Sequence, residues 1–95
     1  MGKMTLLEAT NKLGEFDPEH TIYAVEPWSP TSTAIVGAEP QEGTVPADPE
    51  SRGMSYFLEI SVAQDFIEDL EASLPKKPSA NERCQRLIDY AINDA

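Results

Sequence analysis

Residues 54–74 read MSYFLEISVAQDFIEDLEASL, and a change of period inside this run decides the fold. In its first half, Tyr56, Leu58 and Ile60 alternate with Ser55, Phe57 and Glu59. A period of two places the two sets on opposite faces of a half-buried strand, with the first set toward the core. From Ser61 the period lengthens. Phe66, Ile67, Leu70 and Leu74 recur at helical spacing, while Asp65, Glu68 and Asp69 fall on the other side. Ser61 followed by Gln64 fits a capping box at the helix start. A strand is therefore expected to run almost directly into an amphipathic helix with an acidic outer face.

Upstream, Thr5 and Glu8 have the spacing of a second capping box. Leu6, Ala9 and Leu13 then share one face of a helix of about two turns, too short to stand without packing. Gly14 is placed to end it in a left-handed conformation, and Phe16 follows toward the core. The segment Met1–Met4 reads as a disordered start outside the fold. Asp17-Pro18-Glu19 is a turn. His20–Glu26 is rich in Thr, Ile, Tyr and Val and reads as a strand, with Ile22 and Ala24 on one face and Thr21, Tyr23 and Val25 on the other. Pro27 to Pro30 breaks it. Thr33–Ala38 is a second strand, and the short connection makes an antiparallel hairpin the simplest pairing. Residues 39–53 form a long acidic segment rich in Pro and Gly, read as a loop.

Downstream, Pro75-Lys76-Lys77-Pro78 stops the second helix. Ser79 and Glu82 make a third capping box. Cys84, Leu87, Ile88, Ala91 and Ile92 form the buried stripe of a last helix. The expected architecture is one α+β domain over residues 1–95. A three-stranded antiparallel sheet packs against three helices in the order α-β-β-β-α-α.

The chemistry carried by these elements is sparse. The single histidine, His20, has Glu19 beside it, but neighbours along a strand point to opposite faces, so it reads as a surface histidine opening a strand. The single cysteine, Cys84, lies in an apolar helical stripe and reads as a small buried hydrophobe. One Cys and one His do not make a zinc site. The acids of residues 39–50 lack the alternating ligand pattern of a calcium loop. No phosphate-binding glycine loop or nucleophile motif is present. The expectation is a non-enzymatic protein without catalytic residues, cofactor or metal.

Charge is the most unusual bulk property. Seventeen acids face seven bases, for a net charge of −10. No Lys or Arg occurs between Leu13 and Ser51, or between Gly53 and Pro75, while Lys76, Lys77, Arg83 and Arg86 gather near the C-terminus. Such a field repels nucleic acid and anionic membranes and attracts basic protein surfaces. No run approaches the roughly 18 apolar residues of a membrane span, and a lone cysteine fits a reducing cytosol. A cytoplasmic location is expected.

Tyr23 and Phe57 point away from the face of Ile22, Leu58 and Ile60, and Trp28 sits at a strand exit. Two readings are open. Helices covering one face only would leave these aromatics as anchors inside an acidic rim, the usual anatomy of an interface. A loop at residues 39–53 folding over them would make them core. The first reading nominates Tyr23, Trp28 and Phe57 as anchors and Glu42, Asp65, Glu68 and Asp69 as steering charges.

The run GMSYFLEISVAQDFI at residues 53–67 resembles a pattern in small acidic bacterial proteins of unknown function. It shares their Tyr-Phe-Leu strand leading into a helix containing Gln-Asp, after a Pro- and acid-rich loop like residues 39–50. Some of these proteins are grouped with the immunity partners of bacterial toxins. The resemblance spans about half of the chain and omits the first and last helices. It implies an immunity- or antitoxin-like inhibitor of a basic partner protein. An acidic mimic of nucleic acid, inhibiting a DNA-binding defence protein, is the alternative. It calls for two rows of carboxylates at phosphate spacing, and the sequence offers one. A small-ligand-binding protein or enzyme is the third possibility, and it requires a pocket walled by His20 or Cys84.

Overall fold

A computed structural model gives the architecture and describes residues 3–37 and 53–93. The elements are β1 (Met4–Thr5), α1 (Leu6–Asn11), a 3-10 turn (Leu13–Glu15), β2 (Thr21–Val25), β3 (Thr33–Gly37), β4 (Met54–Glu59), α2 (Ile60–Ser73) and α3 (Ala80–Asn93). The α+β class is as expected. The sheet has four antiparallel strands in the order β1-β3-β2-β4, not three. The added strand takes Met4 from the end of the segment read as a disordered start and Thr5 from the cap of α1: Met4 pairs with Ala34 and Thr5 with Thr33.

The reason lies in the cap. An N-cap residue keeps an extended backbone, and Thr5 has φ −87° and ψ 160°. The chain therefore enters α1 already shaped as a strand. Both halves of the capping box form: the Thr5 hydroxyl accepts from the Glu8 amide, and the Glu8 carboxylate accepts from the Thr5 amide at 3.1 Å. The first α1 amides have no helical acceptor. Leu6 N–H donates to Ser32 O and Leu7 N–H to Pro30 O, both 2.9 Å, which fastens α1 to the turn between β2 and β3. Gly14 does not end this helix in a left-handed conformation. Lys12 caps it, its N–H shared between the Glu8 and Ala9 carbonyls, and Gly14 lies inside the 3-10 turn. Among the described residues the left-handed glycine is Gly53, at φ +80°, where the chain enters β4.

The antiparallel hairpin of β2 and β3 forms as anticipated, in a register that sets Ile22 opposite Val36 and Ala24 opposite Ala34. The helices cover one face of the sheet. Leu6, Ile60, Ala63, Leu87 and Ile88 meet Ile22, Ala24 and Val36 there, all at most 2% exposed. Tyr23, Ile35 and Met54 form a second buried cluster, joined by the partly buried Val25.

The strict alternation expected along β4 is broken. Leu58 lies opposite Ile22 and Tyr56 opposite Tyr23, so Phe57 is the extra residue of a β-bulge. Two successive residues on a bulged strand can face the same side. Phe57 and Leu58 accordingly both enter the helix-covered core, each 2% exposed. Tyr56, expected in the core, falls on the other face and is 44% exposed.

Helix α2 starts two residues earlier than a Ser61 cap implies, at Ile60. Glu59 holds the N-cap position without a side-chain bond. The turn before β2 supplies the missing acceptors: Ile60 N–H donates to His20 O and Ser61 N–H to Pro18 O. Gln64 is thereby released from capping, and its amide donates to Leu13 O at 2.7 Å. Helix α3 follows the expected pattern more closely. The Ser79 hydroxyl accepts from the Glu82 amide, and Cys84, Leu87, Ile88 and Ala91 are buried. Ile92, placed in that stripe by its spacing, is 61% exposed near the helix end.

Candidate functional site

The three aromatic residues nominated as anchors do not share a surface. Tyr23 is 1% exposed, in the cluster on the sheet face away from the helices. Phe57 lies across the sheet from it because the bulge turned its side chain toward the helices. Trp28 packs edge-on against Phe57, with ring centroids 4.8 Å apart and planes at 88°. Its indole N–H donates to Ala24 O at 3.3 Å, which ties the turn after the strand back onto β2. A half-buried Trp satisfied in this way closes the rim of the core. Glu42 lies outside the described residues, as does the question of whether residues 39–52 cover the Tyr23 face.

The nominated carboxylates fare differently. Asp65, Glu68 and Asp69 are all exposed on α2. Asp65 and Asp69 have no hydrogen-bond or ion-pair partner among the described residues. They are one turn apart on the same flank, about 5–6 Å between β-carbons for such a pair. Between them lies Phe66, which the helical spacing had assigned wholly to the core. Its ring is half-buried and stacks on Tyr90 of α3, with centroids 4.8 Å apart and planes at 27°.

Val62, Asp65, Phe66, Asp69 and Tyr90 line a groove of about 330 Å³ between α2 and α3. The α2 members stand at i, i+3, i+4 and i+7, a single helical stripe. Tyr90 was not singled out in the sequence. Its signal was its place beside Ile88 and Ala91, at the margin of the α3 stripe, where an aromatic presents one face inward and one to solvent. Its pairing with Phe66 depends on how the two helices dock, which spacing within either one does not encode.

A second groove, of about 400 Å³, runs along the other flank of α2, between it, α1 and the start of α3. Several of its polar groups are already engaged. Arg83 donates to Pro78 O at 2.9 Å and to Asn11 Oδ1 at 3.2 Å, and stands 3.8 Å from the Glu71 carboxylate. Gln64 is held by Leu13 O. With Arg83 and Lys77 in its walls, this groove carries its own counter-charge. Asn11, Gln64, Glu71 and Arg83 are occupied in holding its walls together. Asp65 lies on the ridge between the two grooves and borders both.

His20 and Cys84 line neither groove. His20 Nε2 is 3.9 Å from the Asp17 carboxylate, while its backbone carbonyl receives the first amide of α2. Cys84 is 1% exposed. Burial pushes its thiol pKa up, and a hydrogen bond with the Thr10 side chain pulls the other way. A thiol in that state is a poor nucleophile. Among the described residues, no three His, Cys, Asp or Glu side chains are grouped to hold a metal ion. No helix among them is long and apolar enough to cross a membrane. No protein-family model, curated protein or solved structure matches the chain.

Proposed function

We propose that the chain is a small acidic protein-binding module, most concretely an immunity- or antitoxin-like inhibitor that docks on a basic surface of its partner. The observation that carries this reading is the exposed side of α2, where Asp65 and Asp69 stand beside the stacked Phe66 and Tyr90 and Glu68 lies toward the neighbouring groove. The net charge of −10 supplies a long-range field that raises the encounter rate with a basic partner. The aromatic pair supplies desolvated contact area after encounter, which slows dissociation. The anchors therefore move from Tyr23, Trp28 and Phe57 to Phe66 and Tyr90, while the steering charges on α2 remain.

The test is affinity purification with the wild-type chain and with the Asp65→Lys/Glu68→Lys/Asp69→Lys variant. The wild type is expected to capture a specific basic protein at low salt, and the variant to lose it while keeping its helical spectrum. Equal recovery by both chains would remove α2 from the interface and overturn the proposal.

A further inference from the structure

The groove between α2 and α3 differs from its neighbour in one respect that points to an occupant. Its floor is aromatic, its two charged lining residues are Asp65 and Asp69, and no Lys or Arg lines it. The neighbouring groove places Lys77 and Arg83 among its acids. Like charges one helical turn apart repel each other, and here no described residue neutralises either carboxylate. The complementary group is planar, cationic and able to donate to two carboxylates while lying on a ring. The arginine side chain has all three properties. An ammonium is a more strongly hydrated point charge and gains less from a stacking surface. The volume, about 330 Å³, lies at the small end of the roughly 300–1,000 Å³ of ligand pockets and has room for one long side chain.

We infer that this groove is a socket for a single arginine of the partner protein, with Phe66 and Tyr90 beneath the guanidinium and Asp65 and Asp69 at its edges. The inference rests on the proposed role as a binder of basic protein surfaces and names the group that the surface takes.

The probe is acetyl-Gly-Arg-Gly-amide, titrated into the full-length chain at low salt and followed by backbone amide NMR shifts. Saturable shifts are expected at Val62, Phe66, Asp69 and Tyr90. The citrulline analogue, of nearly the same shape but uncharged, is expected to bind at least about tenfold more weakly. The Asp65→Asn/Asp69→Asn variant is expected to lose a similar factor. Tyr90→Leu keeps apolar bulk without a ring face and is expected to weaken arginine more than lysine. Glu15→Gln changes an exposed acid of the 3-10 turn that lines neither groove and is expected to leave affinity within about twofold. Equal binding of citrulline, or an affinity unchanged in the Asn variant, overturns the socket. If triple charge reversal still abolishes partner capture in that case, the acidic flank remains the interface and only its arginine specificity is lost.

Discussion

Phe57 and Tyr56 are adjacent, and the bulge gives them opposite fates. Phe57 is 2% exposed and meets the edge of Trp28, while Tyr56 is 44% exposed. Truncating a buried Phe removes its transfer free energy and leaves a cavity, at a cost of about 3–5 kcal/mol. That is a large share of the roughly 5–15 kcal/mol that holds a domain folded. Phe57→Ala is therefore expected to lower the urea midpoint sharply or unfold the chain, and Tyr56→Thr to have a much smaller effect. The reverse ranking would restore the simple alternation along β4. Cys84 makes a second prediction at this scale. Its thiol pKa is raised by burial, so the folded state holds the proton at pH values where the unfolded state has released it. Between the two pKa values the unfolded state binds fewer protons, and stability falls as pH rises. The contribution is complete below the ordinary thiol pKa of about 8.5 and declines above it. Chemical denaturation from pH 7 to 10 is expected to show this decline, and Cys84→Ala to remove that component. A thiol reagent is expected to label the native chain far more slowly than the unfolded one.

Among the elements, α2 both packs the core and presents the candidate surface. Ile60 and Ala63 are buried beneath it, and Asp65 and Asp69 stand a turn apart on its outer flank. Asp69→Lys converts a repelling pair into an i,i+4 ion pair with the acid on the N-terminal side, the favourable orientation, worth about 0.2–0.5 kcal/mol on an exposed helix. The variant is expected to melt at or slightly above the wild-type temperature while binding its basic partner more weakly. Loss of stability and binding together would mean that Asp69 supports the fold instead. Much of this layout was legible because it is local. The capping residues Thr5 and Ser79, the antiparallel hairpin and the acidic flank of α2 depend on spacings of a few residues. What was not legible is set by distant parts of the chain. β1 is two residues long, too short for a period, and exists because β3 lies beside it. Ser61 matched a cap pattern, but carbonyls of Pro18 and His20 reached the helix start instead. The bulge at Phe57 is defined only by pairing with β2, and moving one side chain across the sheet dismantled the predicted aromatic patch. Phe66 was visible as a helical apolar residue, but its partner Tyr90 comes from another helix.

At the scale of the whole molecule, seventeen acids and seven bases must share one small surface. Two Arg–carboxylate pairs bind acids among the described residues, Arg83 with Glu71 and Arg86 with Glu82, at 3.8 and 3.5 Å. The excess negative charge is held closer together in the folded chain than in the expanded unfolded one, so self-repulsion opposes compaction. Salt screens it: the Debye length falls from about 10 Å at 0.1 M to about 3 Å at 1 M. The free protein is therefore expected to gain stability as sodium chloride rises over that range, seen as an upward shift of its melting temperature. Attraction to a basic partner is screened by the same ions. Its association rate is expected to fall steeply with salt while its dissociation rate changes less, because steering acts on encounter and the aromatic contacts act after it. The two responses have opposite signs and a common origin in the net charge. Stopped-flow association and thermal melting across one salt series would measure both. A melting temperature that rises with an association rate that stays flat would leave the charge as a property of the free protein and assign partner recognition to the apolar contacts.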